Sequence, residues 1–278
     1  MIRIVTDSTS DLSLERMSEL KIDIAPLSVR FGEEVFQTLY EITNEEFFDK
    51  MADSEEMPST MQVNPAQFEE LFHKYIKAGD EIIVITIGAK LSGTCQSAVI
   101  ASNEFEEGRI AVIDSKTASG GLALLVEQAA RMRDNGKSFT EIVEAIHELV
   151  KVTKTYVILE NLDFLRHGGR ISPEEYVAGE KLGIKPVVQI EGIVKVVDKV
   201  KGKKGTNRFV MEHLEEFDLQ ENSVIHVFHG NAPELADSVV ELLRDKGYKN
   251  EVRNFCTGSI IGAHLGANCV GIAFAAKS

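Results

Sequence analysis

The stretch Ile2-Arg3-Ile4-Val5-Thr6-Asp7-Ser8-Thr9-Ser10-Asp11 begins with a short apolar run and then turns wholly polar from Thr6 onward. A β-rich run of this length reads as a buried strand, and the hydroxyl and carboxylate side chains behind it read as the turn that leaves it. Ligands in an open parallel sheet collect beyond the carboxyl ends of the strands, so the same segment marks a candidate binding edge. Working outward, Ile82 to Ile87, Ile110 to Ile113 and Tyr156 to Leu159 repeat the strand pattern. Helix signals separate most of these runs. Asn64-Pro65-Ala66-Gln67 supplies a capping residue, a proline for the first turn and a glutamine that reaches back, ahead of the helical spacing of Phe68, Leu71, Phe72 and Tyr75. Ser138 with Glu141, and Ser172-Pro173 with Glu175, repeat that start. Alternating strands and helices predict an α/β fold with a largely parallel sheet flanked by helices.

The chain has 278 residues, more than one compact domain usually holds, so two α/β domains are expected. The pattern changes near residue 160. Ile193 to Val200 alternates as a strand exposed on one face does, which points to a mixed sheet in the second half. Val224 to Phe228 and Val270 to Phe274 read as further strands, with a helix from Pro233 through Leu243. The expected division is 1–160 and 161–278, with crossing segments allowed.

A net charge of -14 opposes non-specific attraction to nucleic acid or an anionic membrane. The N-terminus turns polar within a few residues and so lacks the apolar core of a signal peptide. No run reaches the roughly 18 apolar residues of a membrane span. A cytoplasmic location is expected. Cys95, Cys256 and Cys269 form neither a CxxC pair nor an even set, as reduced structural thiols would.

Several segments carry polar groups suited to chemistry. Asp7 reads either as a catalytic or magnesium-binding carboxylate or as a residue that fixes the turn after the strand. Leu91-Ser92-Gly93-Thr94-Cys95-Gln96-Ser97-Ala98 follows a strand and opens a helix, where a glycine and free amides suit a carboxylate or phosphate, or where Ser92 is a simple cap. It has neither the lysine and spacing of an ATP-binding phosphate loop nor a GxGxxG fingerprint. Ser59-Thr60-Met61-Gln62 presents hydroxyl and amide groups just before a helix start. Leu165 to Ser172 contains Gly168-Gly169 for a tight turn and Arg170 for an anion or for solvent. His264, within Gly262-Ala263-His264-Leu265-Gly266, reads either as a donor to a carboxylate or as a satisfied core histidine. No His or Cys spacing resembles a metal site, and no cofactor is expected. The basic run Lys195, Lys199, Lys201, Lys203, Lys204 and Arg208 suits an acidic or phosphorylated partner, and equally a lysine-guarded sheet edge.

Taken together, the order and wording of these segments resemble the DegV family of fatty-acid-binding proteins, which includes the FakB subunit of bacterial fatty acid kinase. The likeness runs nearly end to end. It rests on Thr6-Asp7-Ser8-Thr9-Ser10-Asp11-Leu12, the Thr60 to Pro65 loop, Leu91-Ser92-Gly93-Thr94 through Ser97-Ala98, and Val112-Ile113-Asp114-Ser115. It extends through Gly168-Gly169-Arg170-Ile171, Leu182-Gly183-Ile184-Lys185-Pro186 and Ile261 to Gly266. The resemblance implies two α/β domains, a long-chain fatty acid in an apolar tunnel, and a carboxylate held by Thr60, Ser92 and His264. Gly93 and Arg170 are then ligand-adjacent or partner-facing. The family's binding protein is not itself the enzyme: a separate ATP-dependent FakA-type kinase phosphorylates the bound acid. Lys199, Lys201, Lys203, Lys204 and Arg208 become candidates for docking that partner.

Two departures stand out. The family's threonine-serine-glutamine loop is Thr60-Met61-Gln62 here, and Ala267 follows Gly266 where the family often has proline. Two other readings remain open: a stand-alone hydrolase or phosphotransferase using Ser92, His264 and Asp7, and a carrier of a different amphipathic carboxylate. Leu91-Ser92-Gly93 is not a GxSxG nucleophile elbow.

Overall fold

In this computed structural model, which describes residues 1–179, 183–217, 219 and 223–277, strand β1 (Ile2–Asp7) lies inside a parallel sheet. It pairs with β2 (Ile22–Ala25) and β6 (Glu81–Thr86), and β6 pairs with β7 (Ile110–Asp114), giving the order β2-β1-β6-β7. Side chains alternate across a strand, so apolar residues at consecutive positions demand cover on both faces. Val5, Ile82 and Val84 face one core with helices α3 (Pro65–Ile76) and α4 (Thr94–Ser102). Ile4, Ile83 and Ile85 face another with α5 (Gly120–Asp134) and α6 (Phe139–Val152). Capping boxes at Asn64–Gln67 and Ser138–Glu141 start α3 and α6 at the expected residues.

Helix α1 (Leu14–Glu19) connects β1 to β2. Between β2 and α3 the chain forms a small antiparallel sheet, β4-β3-β5, with the helix α2 (Asn44–Asp53). Its strands β3 (Ser28–Phe31), β4 (Glu34–Gln37) and β5 (Ser59–Met61) are short, and their partly exposed residues gave no apolar run to read.

The second sheet is mixed, in the order β10-β9-β8-β13-β11-β12. It contains β8 (Thr153–Ile158), β9 (Lys185–Glu191), β10 (Ile193–Val200), β11 (Ile225–Gly230), β12 (Val252–Cys256) and β13 (Cys269–Ala275). Among the described residues only β11 and β12 of this sheet pair in parallel. Helices α9 (Gly202–Glu216) and α10 (Pro233–Asp245) cover one face through Phe209, Leu214, Val239 and Leu243. The other face meets the first half, with α7 (Asp163–His167), α8 (Pro173–Gly179) and α11 (Ser259–Leu265) at its margins. The expected boundary near 160 falls after β8, whose hydrogen bonds belong to the second sheet. Segment α11 crosses back onto α2, β3 and β5. Leu182, part of the family-like run to Pro186, lies outside the described residues.

Helix α5 is wedged between the sheets, touching β1 and β6 on one side and β8, β11 and β13 on the other. Its first two residues explain the close fit. A Cβ on Gly120 would fall 2.7 Å from the Phe228 ring, and one on Gly121 would fall 2.2 Å from Thr155 Oγ1. The polar tie is Glu127, 2% exposed, which accepts from Arg16 Nε at 2.8 Å and from Arg253 and lies near Arg131 and His226. Burial alone would raise this carboxyl; His226, Arg16 and Arg253 overcome that and hold it down to about 2. Phe228, fully buried against Gly120 and Gly271, fills the seam between α5 and β13. We predict that Phe228→Ala lowers unfolding free energy by about 3 to 5 kcal/mol in urea titration; a loss below about 1 kcal/mol would mean that the seam collapses without it.

Candidate fatty-acid site

Three separate segments bring polar groups to one apolar hollow. Strand β5, held by β3 with Thr60 opposite Val29, presents Thr60. The last turn of α11 presents His264, whose Nε2 lies 3.0 Å from Thr60 Oγ1. The turn between β6 and α4 presents Ser92, with Leu91 N donating to Gly88 O at 2.8 Å to tighten it. Ser92 Oγ lies 3.0 Å from Thr94 Oγ1 and accepts from Thr94 N at 3.3 Å, so this serine both steadies the start of α4 and faces the hollow. Arg170 reaches the same wall from the second half, donating from Nε to Leu91 O at 3.1 Å and from Nη1 to Gly168 O.

The hollow has a volume of about 370 Å³. Leu27, Ile87, Leu91 and Ala118 line it from the first half, and Leu165, Ile190, Val194, Ile260, Ile261 and Leu265 from the second. Met61 and Gln62 complete the wall beside Thr60. Met61 remains 48% exposed, which puts it on the open side of the hollow. Two glycines give the polar groups room. A Cβ on Gly168 would lie 2.2 Å from His264 Nδ1, and one on Gly93 would lie 2.1 Å from Gln62 Oε1. The space beside Gly93 is therefore taken by Gln62, whose amide donates to Ser97 Oγ at 3.3 Å. An apolar hollow with hydroxyl, imidazole and guanidinium groups in its wall suits an amphipathic molecule with an anionic head.

Residues 1–277 are matched by the family model described as "Uncharacterised protein, DegV family". The chain belongs to the DegV family. A DegV domain-containing protein of Clostridium acetobutylicum is 34% identical over 279 residues, covering 99% of each chain. Among solved structures, a DegV family protein of Thermus thermophilus described for its fatty acid binding superposes with a TM-score of 0.91 at 26% identity, covering 99% of each chain. DegV of Bacillus subtilis, a fatty acid binding protein, gives 0.89 at 27% identity with the same coverage. A stearic-acid-binding protein of Eubacterium ventriosum gives 0.90 at 26%, covering 100% of this chain and 99% of that one.

Elsewhere in this DegV protein, other sequence candidates take different places. Asp7 is fully buried and does not line the hollow: its carboxylate accepts from Thr9 N and Oγ1 and, at 2.8 Å, from Ile87 N. The imidazole of His264 faces Thr60. Ser92, His264 and Asp7 therefore do not form a nucleophile–base–carboxylate chain. Cys95 and Cys269 are buried, and burial pushes the Cys269 thiol up to about 12, far from a reactive thiolate. Lys195 and Lys199 lie on β10, an edge strand, with Lys199 Nζ donating to Ala178 O. Lys201 precedes α9 and Lys203 and Lys204 lie exposed in its first turn, while Arg208 sits 3.8 Å from Glu212. Among the described residues no group of three or more His, Cys, Asp or Glu side chains is placed to hold a metal, and no helix is long and apolar enough to cross a membrane.

The wall residues Leu27, Ala118, Ile190 and Val194 were not singled out from sequence. The available signal was their position just beyond or within buried strands, which does not say which way the hollow runs. His264 is the titrating group of the site: burial, then the charges of Arg170 and His167, push it down to about 4. A histidine whose folded pKa is depressed is neutral in the fold, and the unfolded chain takes up its proton first. Its stability cost is therefore absent above the unfolded value near 6.5 and grows as pH falls toward 4. We predict that His264→Asn removes about 2 to 3 kcal/mol of the stability lost between pH 7.5 and 4.5, measured by urea unfolding of both proteins at each pH. Identical losses in the two proteins would show that the imidazole titrates freely.

Proposed function

We propose that this protein carries a long-chain fatty acid in the hollow between its halves, in the cytoplasm, and presents the acid to a separate ATP-dependent kinase of the FakA type that forms the acyl phosphate. The observation that supports this most is the cluster of Thr60, His264, Ser92 and Arg170 in the wall of an otherwise apolar cavity. Apolar burial supplies the bulk of the affinity, roughly 0.8 kcal/mol for each CH2 taken from water. The head group sets direction: a carboxylate accepts from the Thr60 and Ser92 hydroxyls and from His264, and the half-buried Arg170 guanidinium supplies the opposite charge. The solved DegV relatives described as fatty acid binding proteins, at full coverage, favour the same class of ligand.

The carrier role rests on the division of groups. The wall offers donors for an anion and apolar side chains for an acyl chain, and a carrier of this kind needs no cofactor and no catalytic residue of its own. The basic segment suits the partner. Lys201, Lys203 and Lys204 stand at the start of α9, where the helix dipole disfavours positive charge by roughly 0.3 to 1 kcal/mol each. Residues kept against that cost are better explained by an acidic surface that docks on them than by the fold. Lys199 and Arg208 extend the same patch.

The first test is native mass spectrometry of the purified protein followed by denaturing extraction. A stoichiometric fatty acid is expected; an empty protein that also refuses added fatty acids overturns the reading, and a different amphipathic carboxylate would revise the ligand. Ser92→Ala and His264→Ala are each expected to weaken fatty-acid binding by about 1.5 to 3 kcal/mol, read by fluorescence titration. Charge reversal at Lys199, Lys201, Lys203, Lys204 and Arg208 is expected to leave that affinity unchanged and to abolish acyl phosphate formation with the kinase; full transfer by the reversed protein sinks the docking assignment.

A further inference from the structure

The hydrogen bonds of the polar stretch Asp7–Asp11 described below go to neither Thr60 nor His264, and all five of its residues are buried. Its hydrogen bonds run to four separate pieces of chain. Asp7 Oδ2 accepts from Ile87 N at 2.8 Å. Ser8 Oγ accepts from Leu27 N at 3.0 Å. Thr9 O accepts from Ser119 N at 2.8 Å. Asp11 accepts from Ser119 Oγ at 2.6 Å through Oδ2 and from Gly258 N at 2.9 Å through Oδ1.

Each of those pieces is cavity wall. Leu27 and Ile87 line the hollow themselves, Ala118 lines it from the residue before Ser119, and Gly258 immediately precedes the helix that carries Ile260, Ile261 and His264. We infer that Asp7–Asp11 is the positioning knot of the fatty-acid site, and that Asp11 is the residue within it that fixes α11, and so His264, across the junction of the two halves. The inference rests on the fatty-acid reading of the cavity.

The local chemistry fits a fastening role. A buried carboxylate is costly unless its oxygens are satisfied, and both oxygens of Asp11 have donors. Asp11 sits in the left-handed region at φ 55°, which aspartate, asparagine and glycine tolerate better than other residues. Gly258 has no side chain where a Cβ would come 3.0 Å from Asp11 Oδ1, so the main-chain amide can approach the carboxylate. The N–H of Gly258 is one of the donors at the start of α11 that the helix itself leaves unpaired.

Asp11→Gly separates this role from backbone strain, because glycine accepts the φ while removing the acceptor. Asp11→Asn keeps an oxygen for Gly258 N and serves as the rescue. Two readouts are compared: amide hydrogen exchange of residues 260–265 in ligand-free protein, and affinity for a fluorescent long-chain fatty acid, cis-parinaric acid. Expected for Asp11→Gly are faster exchange in 260–265 with β1 and β6 unchanged, and affinity at least about tenfold weaker. Asp11→Asn is expected to stay within about threefold of the parent in both. If Asp11→Gly does not fold, Ser119→Ala loosens the same carboxylate more gently and is read in the same way. Unchanged exchange in a folded variant overturns the latch, and faster exchange with unchanged affinity overturns its link to the site. Failure of the parent protein itself to bind the probe overturns the fatty-acid reading instead, and the positioning role with it.

Discussion

The structure depends on one close approach, that of the first turn of α5 to the second sheet. At Gly120 and Gly121 the helix backbone comes so near Phe228 and Thr155 that even a methyl group would collide. A helix packed on both sides must be apolar nearly all round, and α5 is, from Leu122 to Ala130, save for the buried Glu127 and the partly exposed Gln128. That single buried carboxylate meets guanidinium groups from α1 and β12 and the imidazole of β11. Along α5 the halves thus meet through a largely apolar seam with Glu127 as its buried charged tie, while polar bonds such as Gly258 N to Asp11 join them elsewhere. The hollow is what the seam leaves open beside it: Ala118, two residues before Gly120, is part of its wall.

This arrangement explains why the site is assembled from remote segments. Thr60 and His264 are separated by 204 positions and Arg170 and Leu91 by 79, yet each pair is in contact. Neither half has a complete wall. Strand β5 belongs to a small sheet that hangs from β2, and α11 leaves the second sheet to lie on it. The polar groups of the site therefore depend on packing between halves more than on the loop that carries each one.

Legibility in the sequence followed the same division. Elements with strong local signals were readable: the apolar runs of β1, β6 and β7, and the capping boxes of α3 and α6, whose side chains bond as their spacing suggests. Helix α5 was not read, because it opens with two glycines, and glycine early in a helix is ordinarily a stop or a turn signal. Strand β12 carries Arg253 and Asn254 among partly exposed neighbours and has no apolar run to mark it. The apolar run of strand β8 is legible, but its place in the second sheet is not, since that depends on pairing with β13 more than a hundred residues later. At the site, Thr60, Ser92 and His264 came from family resemblance, while individual residues left each with two readings. The wall could not be read at all. Whether Ile190 or Ile158 faces a cavity is decided by the register and twist of a finished sheet, and both are simply buried isoleucines in the sequence.

The position of β13 in the second sheet bears on how the molecule comes into being. It lies between β8 and β11, the middle of the sheet, although it follows every other strand in the chain. During vectorial synthesis β8 emerges long before this neighbour, and until β13 slots in, both flanking strands present raw edges to solvent, chaperones and other nascent chains. The helix bearing His264 immediately precedes β13, so the ligand cavity and the sheet close in one late event. The stretch of chain that completes the hollow's wall with Ile260, Ile261 and His264 is therefore the same late-made stretch that fills the middle of the second sheet.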